Sequence, residues 1–181
     1  DVVKAGKARY IGASSMWAWQ FMKMLATQEK HGWARFVSMQ DHLNLIYREE
    51  EREMLPLCID QGIGVIPWSP LARGRLARPW GEVTKRFQSD PFQNQMYDAH
   101  SAEDEKINAA VASVARAHGK TMAQVALAWV MQTQPVAAPI VGVTRLEQLT
   151  DALGALDVAL SADDVVALEA PYRPRNPAGF Q

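Results

Sequence analysis

Four apolar runs in this sequence end abruptly in hydroxyls, an amide, a ring or an arginine. Residues 8–13 lead into Ser14 and Ser15, and residues 36–39 into Gln40, Asp41 and His42. Residues 64–67 lead into Trp68, Ser69, Pro70 and Leu71, with Arg73 and Gly74 just beyond. Residues 138–141 lead into Gly142, Val143, Thr144 and Arg145. The hydroxyls of Ser14 and Ser15 and the amide of Gln40 are groups that hydrogen-bond a carboxamide. Trp68 offers a flat face to a heterocycle. The turns after Trp68 and Gly142 present backbone N–H groups, and Arg73 or Arg145 adds charge, which suits phosphate. A ring platform beside an anion cradle is what a nicotinamide dinucleotide requires.

Each residue also has a plainer role. Ser15 stands where the next helix wants an N-cap. Gln40 alone suits a sheet-end hydrogen bond, Trp68 alone a core position, and Arg73, Arg75 and Arg78 alone a solvated loop. His42 reads as structural. The run 48–53, Arg-Glu-Glu-Glu-Arg-Glu, reads as the solvated first turn of a helix. It is the coincidence of four run ends that favours a binding site.

For these ends to meet, the runs before them must be parallel strands, since chemistry in α/β architectures gathers at strand carboxyl ends. Between them lie helical patterns. One carries Ala18, Phe21, Met22 and Leu25 on a face and stops at Gly32. A second spans 48–61, with Met54, Leu57, Cys58 and Gln61 on one side and Gly62 at its end. The strand expected over 64–68 is apolar without alternation, as when both faces are covered. Residues 71–101 form a long loop, where Trp80, Phe87 and Phe92 could line a substrate mouth. A helix with Ile107, Val111, Val114 and Ala115 ends at Gly119. Another, behind a capping box from Thr121 to Gln124, buries Val125, Ala128, Trp129 and Gln132. A fourth strand over 138–141 and helices over 146–156 and 161–168 follow, then a proline-rich irregular tail. Residues 1–6 read as a final helical turn stopped by Gly6, so the chain is expected to open inside an element.

The expected fold class is therefore α/β, of the parallel (β/α) barrel type. About four βα units are present, half of a TIM barrel that takes about 250 residues when closed, plus extra helices. With 181 residues and 48% hydrophobic content, residues 1–181 make one domain. A net charge of −1 with mixed signs argues against nucleic acid. No run suits a membrane span, the first ten residues are not a signal peptide, and the lone Cys58 excludes an intrachain disulfide. A cytoplasmic protein is the expectation.

The segments GKARYIGASS, VSMQDHLNLIYREEEREMLPLC, GVIPWSPLARGRLARPWG and PIVGVTRLEQLTDALGALDVALS, in this order, resemble the second half of aldo-keto reductases. The likeness is greatest to the bacterial YajO-like branch, including the Pro-Tyr-Arg-Pro tail and its terminal Gly-Phe. The resemblance implies a (β/α)₈ barrel that binds NADP(H), of which this chain holds strands five to eight. It places Ser14, Ser15 and Gln40 on the nicotinamide carboxamide, with Ser15 standing where asparagine is usual. It puts Trp68 against the nicotinamide ring, where tyrosine is common. Ser69, Pro70, Leu71, Arg73 and Gly74 fall on the pyrophosphate side. Gly142, Thr144, Arg145, Gln148 and Asp151 fall on the adenosine-phosphate segment. Some relatives carry lysine and arginine where Gly142 and Gln148 stand, so Arg145 is left to supply charge to a 2′-phosphate.

The family's catalytic Asp, Tyr, Lys and His belong to the first half. No residue here is assigned to catalysis, none to a metal, and Tyr10, Tyr47, Tyr97 and Tyr172 do not match the missing tyrosine. The resemblance implies an NADP(H)-dependent reductase of small aldehydes or ketones, present as a piece that keeps cofactor residues. Its partner is a missing N-terminal half or a second copy, and in the latter case the chain is a non-catalytic half-barrel that homodimerises.

Overall fold

The computed structural model describes residues 1–82, 97 and 101–177. Phe87, Phe92 and the terminal Gly-Phe lie outside them. Three parallel strands form one sheet in the order β1 (Ile11–Ser14), β2 (Phe36–Gln40) and β3 (Gly64–Val65). Helix α1 (Ala18–His31) connects the first pair and α2 (Met54–Asp60) the second. Helices α3 (Ser101–His118), α4 (Met122–Gln132), α5 (Leu146–Leu153) and α6 (Ala162–Glu169) follow. The expected alternation of parallel strand and helix is present.

Helix α1 buries Phe21, Leu25 and Gln28, one stripe at helical spacing, while Met22 stays 39% exposed. Its C-cap Gly32 is left-handed at φ 60°, as the sequence requires. Strands β1 and β2 lie so close that a Cβ at Gly12 would stand 2.3 Å from Ser38 Oγ. Both strands alternate in burial; so do residues 64–68, expected to be covered on both faces, where Val65 and Pro67 are buried and Gly64, Ile66 and Trp68 half-buried.

The helix expected over 48–61 is broken. A 3₁₀ turn at Glu49–Glu51 precedes α2, which starts only at Met54. Pro56 is the physical reason. It has no N–H for the carbonyl four residues earlier and its ring clashes there, so it is tolerated only in a first turn.

Prolines also shorten the sheet. β3 ends at Val65, before Pro67, although Trp68 N still donates to Asp41 O at 2.8 Å. The strand expected over 138–141 is absent. Instead Val65 bridges Val136, Ala137 N donates to Val65 O, and Ile140 N donates to Pro67 O, both at 2.8 Å. Pro67 and Pro139 supply no N–H to this seam, so the ladder cannot continue and resumes one residue late.

The later helices form a layer tied by polar contacts. Thr121 caps α4 and its hydroxyl donates to Asp151 in α5 at 3.0 Å. Helix α4 is buried on several faces, with Val125, Ala128 and Trp129 inside, but Gln132 is exposed. Trp129 Nε1 donates to Glu169 of α6 at 2.9 Å. Ser161 caps α6 as expected. The helix expected over 146–156 stops at Leu153 and continues as a 3₁₀ turn at Gly154–Asp157. Helix α5 buries none of its residues. No helix among the described residues is long and apolar enough to cross a membrane.

Candidate functional site

The ends of β1 and β2 come together because the strands are parallel and Ser14 is in register with Gln40. Ser14 Oγ donates to Gln40 O at 3.0 Å, and Ser15 N donates to the same carbonyl at 3.0 Å. The Gln40 carboxamide is half-buried and has no partner among the described residues. Ser15 does not cap α1; Trp17 holds that position, and its N–H goes to Gln20 Oε1 at 3.2 Å. The Ser15 hydroxyl instead donates to Asp41 Oδ1 at 3.3 Å and accepts from Trp68 Nε1 at 3.0 Å.

Trp68 is the top of a stack of three rings. Its indole lies 4.1 Å from the His42 ring at 10°, and His42 lies 4.1 Å from Tyr47 at 13°. His42 is structural, as its sequence context suggested. Burial, reinforced by the charges of Arg175 and Arg73, lowers its pKa to about 3, so the ring is neutral. His42 Nε2 lies 2.7 Å from the Tyr97 hydroxyl. Asn44 closes the group: its Nδ2 donates to Ser69 O at 2.9 Å, while its Oδ1 accepts from Ile46 N and Tyr47 N, both at 2.9 Å.

The turn after Trp68 is unusual in its backbone. Ser69 (φ 54°), Ala72 (φ 45°) and Arg73 (φ 55°) are left-handed without being glycine, and Gly74 stands at φ 94°. Each such residue costs on the order of 1 kcal/mol. The turn is held by Asn44, by buried Ala72 and Leu76, and by its own bonds, Ala72 N to Ser69 O at 2.9 Å and Gly74 N to Leu71 O at 2.8 Å. Those bonds use the N–H groups of Ala72 and Gly74, so the expected cradle falls to the neighbouring N–H groups of Ser69 and Leu71. Pro70, buried, fixes the turn between them. Beside it a cleft of about 200 Å³ is lined by Gly74, Arg75, Arg78, Pro79, Trp80 and Glu82. Arg78 packs so closely over Gly74 that a Cβ there would meet its Nη2 at 2.7 Å.

The fourth end lies on the same end of the sheet, set by the bond from Ile140 N to Pro67 O. Gly142, Thr144, Arg145 and Gln148 are exposed. Gln148 Oε1 accepts from Thr144 N at 2.9 Å, and Asp151 accepts from Thr121. Both side chains are thus engaged within the protein, and Arg145 is the N-cap residue of α5. The structure joins Ser14, Ser15, Gln40 and Trp68 by direct contact or register and ties Ser69 to them through Asn44. Among the described residues, no hydrogen bond links them to the Gly142 turn.

The sequence missed one feature entirely. The run 48–53 is not a solvated face: Glu49 and Glu50 are each only 6% exposed. Burial pushes Glu49 up, but hydrogen bonds from Tyr172, Arg175 N and Arg52 outweigh it and hold the carboxyl below its ordinary range. Glu50 meets the fully buried Asp41. Burial raises both, and the charge of Asp41 raises Glu50 further. Cys58 sits near them, its thiol pushed up to about 12 by burial and by both carboxyls. The signal for this was the apolar sequence on each side of the charged run.

Comparison with known proteins settles the family. The aldo/keto reductase family model matches residues 1–173. The chain belongs to the aldo/keto reductase family. That family has the TIM-barrel fold, and its parallel strands and helices are those expected. This aldo/keto reductase chain is 45% identical over 177 residues to versiconal hemiacetal acetate reductase of Aspergillus parasiticus, covering 97% of this chain and 51% of that protein. It is 46% identical over 176 residues to a putative aryl-alcohol dehydrogenase of Schizosaccharomyces pombe, covering 96% and 49%. It is 43% identical over 180 residues to an aldo-keto reductase of Alternaria alternata, covering 99% and 48%. These relatives are fungal, and the chain spans about half their length.

Proposed function

We propose that residues 1–181 are the cofactor-holding half of an NADP(H)-dependent carbonyl reductase, without the catalytic tetrad. The observation that carries this is a half-exposed Trp68 indole, fixed by His42 and Ser15, near a Gln40 carboxamide that has no partner among the described residues. Bound NADP(H) supplies a hydride. Ser14 and Gln40 would hold the nicotinamide carboxamide, and Trp68 would take the ring. The Ser69 and Leu71 N–H groups, with Arg73, would hold the pyrophosphate. Thr144 and Arg145 would face the adenosine phosphate, and Arg145 is the charge that favours NADP(H) over NAD(H). Ser15 serves Trp68 rather than the ligand. Placement in the YajO-like bacterial branch, supported by the Pro-Tyr-Arg-Pro tail, and a cytoplasmic location belong to this reading, as does a small aldehyde or ketone as the full enzyme's substrate.

The test is an NADPH titration followed by nicotinamide fluorescence, paired with an assay on an aromatic aldehyde. Weak saturable binding without turnover is expected. Steady NADPH oxidation by protein whose intact mass matches this chain would overturn the claim that it lacks a proton donor.

A second reading has two copies closing one barrel as a non-catalytic assembly. Leu146, Leu149, Leu153 and Leu156 favour it, since they are 42–73% exposed at helical spacing. Light scattering on the eluting protein decides: a dimer is expected on this reading, and a monomer at micromolar concentration removes it.

A further inference from the structure

The site rests on a closed ring of side-chain contacts. Trp68 Nε1 donates to Ser15 Oγ at 3.0 Å, and Ser15 Oγ donates to Asp41 Oδ1 at 3.3 Å. The Asp41 carboxyl meets that of Glu50. The Tyr47 hydroxyl donates to Glu50 Oε1 at 3.3 Å, the Tyr47 ring stacks on His42, and His42 stacks on Trp68.

Stacking on His42 holds one face of the indole, and the N–H bond to Ser15 holds its edge. A serine hydroxyl has one proton to give. Asp41 takes it, which leaves the lone pairs of Ser15 for the indole. Asp41 cannot turn away, because it is fully buried and Oδ1 also accepts from His42 N at 3.0 Å. Its Oδ2 is buried and lacks any donor while Glu50 is ionised. A proton on Glu50 supplies one.

We infer that Asp41 is a positioning residue for the ring platform: through Ser15 it sets the orientation of the Trp68 indole, with Glu50 as its buried neighbour. The inference rests on the reading of Trp68 as the nicotinamide platform. The titratable groups facing the pair are Tyr47, Glu49, Cys58 and His42.

The readout is the Trp68 indole N–H resonance in nitrogen–proton correlation spectra of the full chain, assigned by its loss in W68F. D41N and S15A should each move it, and S15T, which keeps the hydroxyl, should restore it. In the native protein it should move as pH rises from about 6 through about 9, and E50Q, with a permanent donor, should flatten that response. A resonance indifferent to D41N or to S15A in folded protein overturns the inference. If D41N does not fold, the native titration decides, and a flat one overturns it. D41N should also weaken NADPH binding roughly threefold, a fraction of a stacking interaction; unchanged affinity beside a moved resonance removes the positioning role. Native protein that shows these spectral responses yet binds no NADPH keeps Asp41 as the determinant of the indole and sinks only the cofactor reading.

Discussion

Arg175 Nη2 donates to Asp104 Oδ1 at 2.9 Å across 71 positions of chain, and the two side chains are 4% and 0% exposed. Residues 171–177 of the proline-rich tail are therefore irregular but not loose. They press on the 3₁₀ turn at Glu49, which also accepts from Arg175 N at 2.8 Å. Removing one member of a buried ion pair leaves the other charge desolvated. R175A should lower stability by about 3 kcal/mol in urea unfolding. A loss within the scatter of surface substitutions would mean that the tail is not part of the folded core.

The Asp41–Glu50 pair makes stability depend on pH. Burial and the charge of Asp41 raise Glu50 from 4.5 to about 9 in the folded state. A carboxyl whose folded pKa is raised binds its proton more tightly when folded. Its contribution is full below the unfolded pKa and declines as pH rises through the folded one. Urea midpoints should thus fall between about pH 5 and pH 9, and E50Q should reduce that slope. Equal slopes in the two proteins would place the titrating group elsewhere.

Trp68→Ala removes the indole while leaving Gln40 and Ser14 in place. NADPH affinity should drop about fivefold, on the order of 1 kcal/mol of ring stacking. Trp68→Phe should recover part of it. Unchanged affinity in the alanine variant would make the ring a core residue alone.

Arg145→Glu separates the two dinucleotides. Arg145 is exposed and stands where the resemblance puts the 2′-phosphate, so NADPH binding should fall by more than NADH binding. Titrations at one ionic strength check this, and equal losses would take Arg145 out of that role.

The site's outline was legible because chemistry follows directly from an apolar run and the residue that ends it. Gln40 and Ser14 sit side by side through parallel register alone. The interior of the site was not legible, for a reason of distance. The apolar sequence on each side of the charged run is the one local sign that Glu49 is buried, and it does not name the partners; Tyr172 and Arg175 reach it from 123 and 126 positions away. Likewise, hydroxyl and indole types do not reveal that Ser15 serves Trp68, 53 positions on. Prolines explain the remaining differences. Pro56 falls within a helical pattern, and Pro67 and Pro139 within apolar runs, yet each lacks the N–H that the expected element needs.

The turn after β3 holds Ser69, Ala72 and Arg73 left-handed. On the proposed reading an anion would meet a surface with little backbone left to order, so its capture would be governed by encounter rather than by rearrangement. Such capture would be fast in dilute buffer and slower as added salt screens the arginines around the turn.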